Sequence, residues 1–193
     1  MEAAREKFFH HGFSKVTMEE LALELGMSKK TLYKHFPQKT VLLREVVEMT
    51  LSEMRSGVEA LLNDETAPFT VRLQKLLRFV GVHASKFLQR DFLTDLQRNA
   101  PAIWSHIEAF RKEMIHTRFA RLIRQGVEQG VFRSDVDQEL VVLIYFSLVQ
   151  NIINPATLSN LPFTTKQVFD SIIKLLLEGL LTEGARSQLT GEG

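Results

Sequence analysis

Four lysines and no acid lie between Ser28 and Lys39: Lys29, Lys30, Lys34 and Lys39 itself give a local charge of +4 across 12 residues, in a chain whose net charge is only +1. Among them stand Thr31, Tyr33 and His35, side chains that donate or accept hydrogen bonds. This is the chemistry of a surface that meets a polyanion. Ammonium groups displace counterions from phosphates, and lysine donates to the guanine edge in a major groove. The chain as a whole balances 24 Lys and Arg against 23 Asp and Glu, so any nucleic-acid footprint has to be local. Other chemistries find less support. With no cysteine there is no disulfide framework, thiolate metal site or cysteine nucleophile. Glu113-x-x-His116 is half of a di-iron carboxylate pattern that has no second copy, and the neighbours His10 and His11 point to different faces of a helix. A glycine-rich phosphate loop and a Gly-x-Ser-x-Gly elbow are both missing. No enzyme, metal site or cofactor is expected.

Local signals fix the elements that hold the lysines. Thr17-Met18-Glu19-Glu20 is a capping box, so a helix begins at Thr17 and turns Met18, Leu21, Ala22 and Leu25 inward. Gly26 can end it in the left-handed conformation, and Ser28 caps a second helix two residues later. A capped helix, a glycine turn and another capped helix form a helix-turn-helix. At 100° per residue, Leu32 and Phe36 fall on the inner face of the second helix. Lys30, Thr31 and Lys34 face outward, with Lys29, Tyr33 and His35 on the flanks. Thr17 and Lys39, each near a helix start, are positioned to meet phosphates.

The remaining pattern is helical throughout. The hydrophobic content of 45% can bury a core. A period near 3.6 recurs and alternation is absent, which predicts an all-α fold of about nine helices at 2–11, 18–25, 28–36, 38–63, 69–89, 91–98, 102–129, 137–153 and 165–183. Three short helices followed by long ones predict a head at 1–45 on a body at 46–193. The longest apolar run, Leu140–Phe146, is far below the ~20 residues of a membrane span, and the N-terminus lacks a signal-peptide core, so a cytoplasmic protein is expected.

Residues 140–153 are apolar nearly all round, and 168–181 carry a stripe too wide for one neighbour. Both predict a homodimer through about 137–153 and 165–183, with two heads on half-sites of a near-palindromic operator in double-stranded DNA. An apolar stripe with interspersed polar groups at 69–129 makes Phe79, His83, Phe87, Trp104, Ile107, Phe110 and Met114 candidates for a pocket that takes a hydrophobic or amphipathic molecule.

Phe9, Gly12-Phe13, Thr17 through Ala22, Leu25 through Phe36, Lys39 and Leu42-Leu43 together resemble the N-terminal DNA-binding domain of the TetR (tetracycline repressor) family, most specifically over Ser28–Phe36 with Lys39. The resemblance implies a dimeric transcription regulator, most often a repressor, released from DNA by a small molecule held in the C-terminal body. It implies base or backbone contacts from Lys29, Lys30, Thr31, Tyr33, Lys34 and His35, and phosphate contacts from Thr17 and Lys39. Lys30 departs from the glycine common at that position, and no basic arm precedes the first helix, so no minor-groove arm is expected. The alternative is a helical interaction module whose helix-turn-helix does not read DNA.

Overall fold

The computed structural model describes residues 1–87 and 89–190, and no strand occurs among them. The head consists of α1 (Glu2–His11), α2 (Met18–Glu24) and α3 (Lys29–His35). Next come α4 (Lys39–Asn63), α5 (Phe69–Phe87), α6 (Arg90–Asn99) and α7 (Pro101–Met114). A π-helical turn at Ile115–Phe119 leads into α8 (Ala120–Glu128), then α9 (Gln138–Ile152), α10 (Pro155–Ser159), α11 (Thr165–Leu180) and α12 (Glu183–Thr190).

The capping signals act as their residue types require. The Thr17 hydroxyl accepts from the Glu20 N–H at 3.2 Å, and the Glu20 carboxylate accepts from the Thr17 N–H at 2.7 Å. At the other end of α2, Met27 N–H bonds Ala22 C=O and Gly26 N–H bonds Leu23 C=O. These two bonds form a Schellman motif, which needs the left-handed φ of 63° that Gly26 adopts. Ser28 Oγ then accepts from Thr31 N–H at 3.1 Å to start α3. Phe8, Leu21, Leu32, Leu42 and Leu43 are fully buried and clamp α1, α2, α3 and the start of α4 together.

Beyond shifts of a single residue at helix ends, four stretches differ from the sequence-based reading. The helix expected at 102–129 is interrupted by the π turn, where the Thr117 hydroxyl takes the Glu113 carbonyl at 2.7 Å. The helix expected at 165–183 stops at Leu180. Leu181 becomes extended and bridges Phe132, and Thr182 N–H bonds Val131 C=O at 3.0 Å. A new helix, α12, follows. Asn154, with Pro155 behind it, starts the short α10 by accepting from Thr157 N–H. The helix expected at 69–89 is observed as Phe69–Phe87, and Leu88 lies outside the described residues.

A continuous hydrophobic cluster runs from Ala4 in α1 through α4 and α6 to Ile172 in α11. Phe9 joins head to body directly, its ring 5.4 Å from that of Phe87 and 4.8 Å from that of Phe92. A second cluster, from Val58 to Leu180, fills the far end. No helix among the described residues is long and apolar enough to cross a membrane.

Candidate nucleic-acid interface and buried cavity

Leu32 is the pivot of α3. It is completely buried, while Lys29, Lys30, Thr31, Tyr33, Lys34 and His35 are all exposed. Seven residues allow one inward anchor and an outward crescent, and the structure brings all six candidates onto that crescent. The electrostatics is more selective than the charge sum implies. Lys29 is ion-paired with Glu19 on α2 and stands 5.8 Å from the Tyr33 ring centroid. Lys30 and Lys34 make no ion pair among the described residues. The Thr31 hydroxyl shares a 2.8 Å hydrogen bond with Ser28 Oγ, so it is held in place beside the helix start.

Thr17 and Lys39 occupy other environments. Thr17 is exposed, but its N–H and hydroxyl are both engaged by the Glu20 carboxylate, and these bonds hold that carboxyl below its ordinary range. Lys39 is half-buried. Its ammonium donates to Val16 C=O at 2.7 Å and Ser14 C=O at 3.4 Å, and it sits 4.6 Å over the Phe13 ring. Burial lowers its pKa, against the attraction of Asp95 and Glu20. In this arrangement Lys39 ties the start of α4 to the loop between α1 and α2. Asp95 of α6 holds the same loop from the other side, accepting from Ser14 N–H at 2.7 Å and from Asn99 at 2.6 Å. Burial pushes the Asp95 carboxyl up, but the hydrogen bonds from Ser14, Asn99 and Phe13 outweigh it and hold the group below its ordinary value. Gly12 fits because a Cβ there would stand 2.8 Å from Asp95 Oδ2, on a backbone with φ of 85°.

Between the two hydrophobic clusters lies a cavity of about 200 Å³ walled by α4, α5, α7, the π turn, α8, α9 and α11. Of the residues singled out in the sequence, His83, Phe87, Ile107, Phe110 and Met114 line it. Phe79 and Trp104 do not. The Phe79 ring packs on Gly57, where a Cβ would be only 2.1 Å away, and 4.0 Å from the His83 ring. Trp104 is buried, with the Arg111 guanidinium 5.3 Å from its ring centroid. A single apolar stripe could not separate wall from core. Most of the lining was missed, including the polar residues Arg111 and Tyr145. Arg111 lies one turn after Ile107 on the apolar face, and Tyr145 interrupts the all-apolar run of α9. Those were the available signals. Thr50, Leu51 and Met54 of α4 line the cavity, as does Phe87, whose ring also meets Phe9 of the head.

The helices expected to meet a partner each have two faces. On α9, Val141, Val142, Tyr145 and Val149 are buried, while Leu140, Leu143 and Ile144 are about half exposed, at 51%, 54% and 47%. On α11, Val168, Phe169, Ile172 and Leu180 are buried, and Leu175 is 72% exposed. Glu113 and His116 do not form a ligand pair. Glu113 is ion-paired with Arg118, and the His116 ring lies 5.0 Å from that of Phe146. Among the described residues no cluster of three metal-ligating side chains occurs.

Residues 1–46 match the family model described as bacterial regulatory proteins, tetR family. The HTH-type transcriptional regulator YvaF of Bacillus subtilis is 27% identical over 172 residues, 89% of this chain and 88% of that protein. The HTH-type transcriptional repressor KstR2 of Mycobacterium tuberculosis is 26% identical over 197 residues, covering 95% and 92%. The crystal structure of the TetR-family transcriptional regulator PfmR from Thermus thermophilus superposes with a TM-score of 0.61 at 26% identity, covering 94% of this chain and 98% of that one.

Proposed function

We propose that this chain, a transcriptional regulator of the TetR family and not an enzyme, is a cytoplasmic repressor that binds a near-palindromic operator as a homodimer and is released by a small hydrophobic or amphipathic molecule. The observation that carries the proposal is the crescent of Lys30, Thr31, Tyr33, Lys34 and His35 on a helix anchored by Leu32. A helix so anchored can enter a major groove without disturbing its own core. Lys29 is held back by Glu19 and reaches phosphate once that pair is broken, and Thr17 and the first turn of α4 at Lys39 lie at helix starts suited to backbone phosphates. In this reading residues 1–45 are the reading head and 46–193 the sensing and pairing body.

The half-exposed leucines of α9 and the exposed Leu175 of α11 support pairing of two chains across a four-helix interface. The cavity supports an effector site, with His83, Phe87, Ile107, Phe110 and Met114 in its wall. An occupant would press on Thr50, Leu51 and Met54 of α4 and on Phe87, which leans on Phe9. Either route changes the separation of the two α3 helices and lowers DNA affinity without altering base contacts.

Selection of bound duplexes from a random pool tests the reading. Enriched sequences with twofold symmetry, bound with an affinity that falls steeply with salt, are expected. Absence of enrichment together with a salt-independent response would leave the helical interaction module in its place.

A further inference from the structure

We infer that the cavity is built for an anionic amphipath, an apolar body with one carboxylate-type group taken by Arg111. The inference rests on the effector reading above and narrows its chemistry. Arg111 is largely buried in the cavity wall. Its Nη1 donates to the Ile153 carbonyl at 2.8 Å, and its guanidinium lies by the Trp104 ring, so the group is positioned from two sides. It has no ion pair among the described residues, and Glu108, one turn earlier, acts on it only at longer range. Its Nε–H is buried with no hydrogen-bond partner, and its Nη2 makes no hydrogen bond among the described residues. Nε–H and the adjacent Nη2–H form one edge of the planar fork, an edge that fits the two oxygens of a carboxylate. The cation is thus held with that edge unused and its counter-charge missing, a costly state that an incoming oxyanion relieves.

The other polar groups in the wall are engaged elsewhere. Thr50 Oγ1 donates to Val46 C=O, His83 Nδ1 is bonded to Phe79 C=O, and Arg118 is paired with Glu59 and Glu113. Tyr145 and the second ring nitrogen of His83 are the exceptions: neither the Tyr145 hydroxyl nor His83 Nε2 makes a hydrogen bond among the described residues, and burial raises the Tyr145 pKa, so that hydroxyl stays a neutral donor. No Asp or Glu lines the cavity, so a cation would find no counter-charge there. The rest of the wall is leucine, isoleucine, valine, methionine and phenylalanine with Ala84.

The full chain can be titrated with dodecanoate, dodecanol and dodecyltrimethylammonium below their aggregation thresholds, following the emission of Trp104, the chain's single tryptophan. Dodecanoate is expected to bind at least tenfold tighter than either other probe and to change Trp104 emission. Arg111→Gln is expected to bring dodecanoate down to the level of dodecanol. Should that variant fail to fold, the ranking in the unaltered chain still decides. If dodecanol binds as tightly as dodecanoate, or the ammonium binds more tightly, the anionic assignment falls and the cavity remains an effector site. If none of the three binds, both readings fall together.

Discussion

Glu19→Gln probes the basic crescent where it is masked. In the free protein Lys29 is ion-paired with Glu19, and Lys39 donates to two backbone carbonyls of the head. On the proposed reading, Lys30 and Lys34 therefore supply the ammonium groups of α3 that meet DNA without first leaving a partner. Two heads present four of them. At about 0.9 per phosphate contact, log affinity should fall against log salt with a slope of about −3.6. Removing the Glu19 carboxylate frees Lys29 on each head, adding two cations and steepening the slope to about −5.4. Across a fourfold range of salt the extra slope amounts to roughly a 12-fold difference in how far affinity drops. The variant loses a carboxylate from the first turn of α2, where it favours the helix dipole, so a stability cost of about 0.3–1 kcal/mol is expected. Fluorescence anisotropy of a labelled duplex over a salt series reads the slope, and a thermal melt reads the cost. A slope that stays within about 0.5 of the unaltered protein's would refute the reasoning, because Lys29 would then either already lie on phosphate or never reach DNA.

Leu32→Ala should cost about 2–5 kcal/mol and abolish DNA binding with the head's fold, whereas Lys34→Ala should weaken binding with no change in melting temperature. Equal melting temperatures for the two variants would contradict the inward and outward assignment of α3. Leu143→Glu should convert the proposed dimer to monomer in sedimentation equilibrium and weaken DNA binding with it; a dimer that persists would move the interface away from α9. Asp95 has a folded pKa below its ordinary 3.8, so its contribution to stability is present above that value and is lost as pH falls from about 4 through the folded pKa. Asp95→Asn should therefore flatten the melting temperature's dependence on pH in that acid window, and an unchanged profile would show that the carboxylate is not what ties α6 to the head.

The head was legible because its signals are local. A capping box, a glycine and a serine fix α2 and α3 within twelve residues, and the inward phase of Leu32 follows from the helix wheel alone. What the lysines do required a third dimension. Lys29 meets Glu19 ten positions earlier, on another helix, and no single-helix wheel contains that pair. Lys39 carries the charge expected of a phosphate contact, yet the Phe13 ring and the carbonyls of Ser14 and Val16 form a cradle that only the folded loop creates. In the body, apolar periodicity found the helices but could not tell a cavity wall from solid core. Phe87 and Ile107 line the space, while Phe79 and Trp104, equally apolar, do not. The π turn and the break at Leu181 were hidden for a related reason. The first carries a hydroxyl-to-carbonyl bond from Thr117 and the second rests on bonds to the distant Val131–Arg133 segment, inside stretches whose periodicity reads as uninterrupted helix.

The meeting of Phe9 with Phe87 and Phe92 has a consequence for protein engineering. Chimaeric regulators made by grafting one reading head onto another sensor, joined within α4 near residue 45, would leave the Phe9 ring facing whatever residues the new scaffold happens to offer. For this protein a workable graft carries the two aromatic positions of α5 and α6 along with the head. A transplant that omits them should yield hybrids that aggregate or melt at a lower temperature, because the Phe9 ring loses the aromatic contacts it makes here.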